Sequence, residues 1–422
     1  MTDLVSRSGL AGAARITFMG SLLLFIVTIV IGILNGIDVW EPDHDTLITH
    51  VHAGTLGWIT LGVSGIALLM FSYDRQVTGA EVSRARNLAW GMVGAVVLYV
   101  AAFLAGDSIF DDRIQRPIAG TVLLIVVVWF FVWLLGANKA FGSSSPARLG
   151  IVLSWISLIV GAVFGITLGL FIANGEVPGL SDDVAARVAE AHPPAMLIGF
   201  LLLAAFASIE WLLHSDKTSM RPATIQMWLL FVAGIVINIA FVAGKDEELA
   251  GPANLLMIIA VFMLLWRSRR ELMPDGWRGA GAGAFPRVAS LALVGALVLL
   301  TVLISWLIGD KIDFDALTNS QEGLLLSFDH AMFIGVMTNV LFGVLAAGFS
   351  SARTALANRI LLWGVNVGFA GFVLGLLTTT QVLKRIATPI MGAALLTGIA
   401  VYFMELRSNP DGNYQDNISP TG

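Results

Sequence analysis

Only six of the 422 residues are histidine, and four of them fall where imidazole chemistry is costly to place. His52, His192 and His330 recur at nearly equal intervals, each opening a strongly apolar run: "HAGTLGW", "HPPAMLIGF" and "HAMFIGVMTNVLFG". His50 lies two residues before the first, in "ITHVHAGTLGW". Neutral imidazole is a good ligand for haem iron and other transition metals, and an ionisable group inside an apolar span is a functional candidate by default. On a helix, residues two apart point about 200° away from each other. His50 and His52 are therefore expected to serve two neighbouring sites, one on each side of their helix.

The elements that must position these residues are membrane helices. The chain is 57% hydrophobic and 13% charged, with mean hydropathy +0.85, and its apolar runs repeatedly reach the ~20 residues that cross a bilayer. Twelve spans are expected, near 15–36, 47–71, 88–106, 118–138, 149–173, 192–213, 223–244, 252–266, 286–309, 324–347, 359–380 and 387–404. The first lacks a small-residue cleavage site and reads as a helix, not a signal peptide. Most Lys and Arg fall in the loops on the side of both termini, including Arg267, Arg269, Arg270, Arg278 and Arg287, which places the termini in the cytoplasm. The opposite loops, such as "DVWEPDHD", "GEVPGLSDD" and "KDEE", are acidic. The net charge of −5, with no basic stripe, argues against a nucleic-acid partner. The absence of cysteine excludes disulfides, thiolate metal sites and covalent c-type haem.

Four spans separate successive histidine helices, so the chain divides into three four-helix arcs, about 1–146, 147–283 and 284–408, with a polar tail at 409–422. The expected fold is an all-α polytopic bundle in a single transmembrane domain. Gly57, Gly199 and Gly335 follow the histidines within two turns and let a helix or a flat ligand approach closely. His52 and His330 are expected roughly 8–10 Å inside the apolar boundary on the outer side. His192 sits nearer the boundary unless "VAARVAEA" extends its helix outward.

A helix beginning His-x-His and serving a haem on each side resembles the haem-copper oxidase catalytic subunit superfamily. "HVHAGTLGW" looks like the tenth-helix motif of C-type oxidases and nitric oxide reductases, and "HPPAMLIGF" and "DHAMFIGVMTNVLFG" are similar to motifs of shorter NnrS-like relatives. Here the His-x-His lies on helix two, as if the arcs had been rotated by one. The resemblance implies b-type haem, one or two copies, held by His50, His52, His192 and His330. It also implies that Lys384 and Arg385, in the loop between helices eleven and twelve, contact haem propionates. The family's copper requires a His-His pair on helix seven, whereas "ATIQMWLLFVAGIVINIAFVAG" contains no histidine; this argues against copper and against four-electron oxygen reduction. Of the four tyrosines, only Tyr99 is expected near haem level; Tyr73 and Tyr402 lie toward the inner ends, and Tyr414 in the tail. Two pairings remain open: His52 with His192 and His50 near His330, or His330 as a low-spin partner with His192 near the open site.

Asp329 either orients an imidazole from behind or stabilises a helix N-terminus. His44 reads as a solvated loop residue and His214 as interfacial. Glu210 reads as snorkelling beside Trp211, with proton entry as the alternative, and Asn238, Thr338, Asn339 and Asn366 as helix-joining groups. The expected function is a redox-active haem protein of the plasma (inner) membrane, if the source is prokaryotic, with its site toward the outer face. Such a protein would serve respiratory electron transfer or nitric oxide and oxygen handling. Its expected partners are lipid, an electron-donor protein or respiratory subunits, and a small gas. The alternatives are a non-catalytic haem protein for electron transfer, gas sensing or assembly, and a haem-free secondary transporter.

Overall fold

The computed structural model describes residues 4–107, 113–142, 145–214, 221–279, 281–309, 311–312 and 316–408; the expected 409–422 tail lies outside them. Among the described residues twelve helices are long and apolar enough to cross a bilayer, and the chain is an integral membrane protein. They are α1 (Ala11–Gly36), α2 (His44–Met70), α3 (Gly79–Leu104), α4 (Gln115–Lys139), α5 (Pro146–Asn174), α6 (Asp182–His214), α7 (Arg221–Ala243), α8 (Asp246–Arg267), α9 (Gly281–Ile308), α10 (Asn319–Gly348), α11 (Thr354–Leu377) and α12 (Gln381–Ser408).

Several helices begin earlier than their apolar runs because polar caps extend them. Thr78 accepts the Glu81 N–H and starts α3 nearly three turns early. Asp43 does the same for Thr46 at α2, and Thr318 with Gln321 forms a reciprocal capping box at α10. Each cap satisfies backbone donors that the first turn leaves free. The histidines consequently do not open their helices. His52 and His330 stand two to three turns inside, and the "VAARVAE" stretch is helical, Asp182–Glu190, so His192 is carried inward too.

Burial divides the helices into two classes. In α2, α6 and α10, 83–94% of the residues in the apolar window are buried, against 17–50% in the other nine. Every fourth helix, counting from the second, is thus enclosed by protein, and the others present Trp90, Ile125, Phe262 and Trp363 outward, as lipid contact requires. Chain neighbours pack along the ring, including α3 with α4, α4 with α5, α7 with α8 and α11 with α12, and α12 returns to α1. The three glycines serve helix packing. A Cβ at Gly57 would stand 2.7 Å from Leu24, one at Gly199 3.1 Å from Ser157, and one at Gly335 3.1 Å from Ala292 and Phe369.

At the end opposite the histidines, Glu210 of α6 is 3% exposed and accepts two hydrogen bonds from Arg267 Nη2 of α8, at 2.6 and 2.8 Å. Arg267 Nη1 also donates to Gln226 of α7 at 3.2 Å, and His214 Nδ1 lies 3.3 Å from Glu210. Glu210 therefore does not snorkel, and His214, 4% exposed, is not interfacial. A buried carboxylate needs a fixed counter-charge, and α8 supplies it. Asn339 and Asn366 exchange side-chain hydrogen bonds at 2.9 and 3.1 Å, joining α10 to α11 as expected.

Candidate functional site

Each histidine helix contains a π-helical segment directly beyond its histidine: Ala53–Thr60 in α2, Ala195–Leu201 in α6 and Ala331–Thr338 in α10. Such widened turns rotate the following helix face and recur at functional sites. They also give an internal ruler, because Gly57, Gly199 and Gly335 each stand four residues into their segment. Measured from the segment starts, His50 and His192 occupy one register position and His52 and His330 another. The expected equivalence of His52, His192 and His330 is thus displaced by two residues at His192, with Pro194 and Phe328 at the complementary places.

Hydrogen bonding separates the same two classes. His52 Nδ1 bonds the Ile48 carbonyl at 2.9 Å and His330 Nδ1 the Leu326 carbonyl at 2.7 Å, each four residues back on its own helix. His50 Nδ1 instead bonds the Thr28 carbonyl of α1, and His192 Nδ1 the Gly161 carbonyl of α5, both at 2.8 Å. In both cross-helix cases a glycine one turn further along makes the room. A Cβ at Gly32 would lie 3.0 Å from His50 Cε1, and one at Gly165 would lie 2.7 Å from His192 Cε1. A carbonyl can only accept, so each Nδ1 carries the proton and each neutral ring keeps a free lone pair on Nε2. That is the tautomer a metal-ligating imidazole adopts when its other nitrogen is held by a carbonyl. If His192 is a metal ligand, Gly165→Val is expected to push its ring off Gly161 and abolish the ligation, with normal expression and insertion; the metal content of the purified variant checks this.

His50 and His52 lie on α2, His192 on α6 and His330 on α10, the three enclosed helices. Among the described residues no group of three His, Asp or Glu side chains converges on one point. His52 and His192 line a common cavity of about 440 Å³, within the ~300–1,000 Å³ range of ligand and cofactor sites. Its wall is mainly apolar. Phe103 stacks on His52 at 4.2 Å between centroids, and Tyr99 meets it edge-on at 5.3 Å. His330 packs on Phe372 of α11 at 4.8 Å.

Asp329 takes neither role expected of it. The Nδ1 of His330 is held by Leu326, and α10 begins ten residues earlier. The Asp329 side chain lines the His52–His192 cavity instead. Lys384 and Arg385 lie in the first turns of α12, where Lys384 Nζ and Arg385 Nε hold Asp38 at 3.0 and 2.7 Å. Asp38 is in the loop between α1 and α2, and these bonds keep its carboxyl below its usual range. Lys384 is linked to the surroundings of His50 through α1: Gly36, one turn beyond the Gly32 that touches His50, packs on Thr388, whose hydroxyl bonds the Lys384 carbonyl.

Two arginines at the first cavity escaped sequence reasoning. Arg113 and Arg116, from "DDRIQRP", line its mouth together with His44; His44 is exposed there. Their i, i+3 spacing beside a proline start of α4 was the available signal, but an outer loop of mixed charge did not distinguish them. No protein-family model matches the chain, and no curated protein matches it in sequence.

Proposed function

We propose that this chain is a haem-binding membrane protein of the haem-copper oxidase catalytic-subunit type. In this reading three four-helix arcs surround α2, α6 and α10, the termini are cytoplasmic, and both histidine pairs lie toward the outer face. His52 and His192 would hold one b-type haem, and His50 and His330 a second. The observation that carries the reading is the set of four imidazoles on the enclosed helices, each with Nδ1 tied to a carbonyl and Nε2 free, two of them on one cavity. An ordinary interfacial histidine has no need of that constraint, and a transporter site has no need of four.

The residues present fit the group. The first cavity has the size and apolar walls a porphyrin needs, with aromatic packing on His52 and cations at its mouth. Bound iron porphyrin would supply one-electron redox chemistry and, wherever an axial position is free, gas binding. The protein's own share is to fix the ring planes through Thr28, Ile48, Gly161 and Leu326 and to exclude water from α2, α6 and α10. All four histidines are consumed by two pairs, so copper is not part of this proposal. Electron transfer within a respiratory chain follows most directly, with nitric oxide or oxygen handling where one axial histidine yields its place.

A reduced-minus-oxidised visible spectrum of the purified protein, repeated under carbon monoxide, tests this. Sharp bis-histidine bands are expected, and a carbon monoxide shift would identify the haem that is open to gas. Bands that never shift assign the protein to electron transfer or assembly. A protein with no bands, even after supplying haem, overturns the reading in favour of transport.

A further inference from the structure

At the end of the bundle opposite the histidines, α8 leads into a folded connection. Leu255, Ile258, Phe262 and Trp266 form one exposed stripe along α8, at the three- and four-residue spacings of a single helix face. Arg269 continues the stripe past the helix end: its guanidinium lies 5.1 Å over the Trp266 ring, and its Nη1 donates to the Trp266 carbonyl at 2.7 Å. A lipid-facing stripe that ends in tryptophan and then arginine marks the level where acyl chains give way to headgroups.

The chain then doubles back. Arg269–Leu272 and Pro274–Trp277 are single helical turns, and Trp277 Nε1 donates to the Leu272 carbonyl at 3.1 Å. The return requires glycine at 276, where a Cβ would stand 2.7 Å from the Arg270 carbonyl and closer still to that of Glu271. Arg287 of α9 fixes the fold by donating its Nε to the Glu271 carbonyl at 2.8 Å. Arg278 is thereby returned toward the turn that carries Arg269 and Arg270.

The acids of this connection do not balance its arginines. Glu271 Oε2 is buried, which leaves Asp275 as the exposed acid of residues 268–279. Its carboxylate lies 3.6 Å from Arg278, with the two side chains 90% and 84% exposed, a contact worth little in water. Arg269 and Arg270 are both exposed, and neither enters an ion pair among the described residues. Met273, on the same connection, exposes an apolar side chain as well. Three outward cations against one acid, beside exposed Trp266 and Met273, suit an anion with an apolar body.

We infer that Arg269, Arg270 and Arg278 form the headgroup site of an anionic phospholipid, whose acyl chains run along the Phe262–Trp266 stripe of α8. Guanidinium groups bind phosphate oxygens through directional, charge-assisted hydrogen bonds, and basic clusters at the end of a membrane helix attract acidic lipids. The continuity of the arginines with the stripe selects a lipid over a water-soluble anion, which has no use for the apolar half. The site is independent of the histidines and of the haem reading.

The test titrates delipidated full-length protein, in a neutral maltoside detergent, with phosphatidylglycerol or with phosphatidylcholine of the same acyl chains. Lipid held per chain and the thermal unfolding midpoint are read. Phosphatidylglycerol is expected to bind about tenfold or more tightly at low salt, the scale set by a small excess of cations. The preference is expected to shrink in about 0.5 M NaCl, where exposed charges are screened. Arg269→Gln, Arg270→Gln and Arg278→Gln together are expected to erase it with the lipid-free midpoint close to unchanged, and lysine at the same three positions to keep most of it. Equal binding of the two lipids by the unmodified protein, or a preference that survives the triple glutamine variant, overturns the site. Displacement of phosphatidylglycerol by an equal concentration of glycerol phosphate overturns the lipid assignment in favour of a soluble anion. The comparison of the two lipids uses no variant, so a misfolded arginine variant does not remove the test.

Discussion

His52→Ala is expected to lower the haem content of the purified protein by one and to leave its amount in the membrane unchanged. The side chain removed makes one bond within its own helix, to Ile48, and stacks on Phe103, so α2 keeps its backbone hydrogen bonds and alanine favours helix. The variant removes the imidazole that lines the cavity shared with His192, while His50 stays bonded to the Thr28 carbonyl of α1. The remaining spectrum should be that of the His50–His330 haem. His330→Ala should leave the complementary spectrum, and the sum of the two should reproduce the unmodified protein. Full haem content in His52→Ala, measured as haem per chain, would refute the ligand assignment. If His52→Ala and His330→Ala left the same spectrum, the other pairing, with His330 as the low-spin partner and His192 near the open site, would be restored.

The second large effect is on stability. Glu210→Ala is expected to destabilise the protein by about 3–5 kcal/mol, the cost of leaving one partner of a buried pair uncompensated. Arg267 would then keep the Gln226 amide oxygen of α7 as an acceptor but lose the carboxylate that balances its charge. Glu210→Gln keeps a hydrogen-bond acceptor and should cost less. Replacing both members with apolar residues of similar volume, Glu210→Leu with Arg267→Met, should recover most of the loss, because the desolvation of the pair disappears with it. Thermal unfolding midpoints in detergent distinguish these cases. A Glu210→Ala protein as stable as the original would mean the cluster is open to water and carries no buried charge.

The sequence by itself determined the class, the number of helices and the residues worth suspecting. Those properties follow from local rules: apolar runs of bilayer length, a His-x-His that must face two ways, and polar groups in apolar surroundings. It also marked Asn339 and Asn366, together with Asn238 and Thr338, as helix-joining groups, although only the fold pairs Asn339 with Asn366.

Tertiary structure alone decided the rest. Helix starts moved outward because caps at Thr78, Asp43 and Thr318 satisfy donors that hydropathy does not register. The register of His192 moved by two because π-helical segments, which have no simple periodic signature, reset the helix faces. The orientation of two imidazoles was decided by packing: Thr28 and Gly161 reach His50 and His192 across helix boundaries, and Gly32 and Gly165 matter only because another chain segment lies against them. Glu210 reads as a surface charge until α8 brings Arg267 to it. Arg113, Arg116 and Asp45 come together for the same reason, since only the folded chain brings the start of α4 to α2.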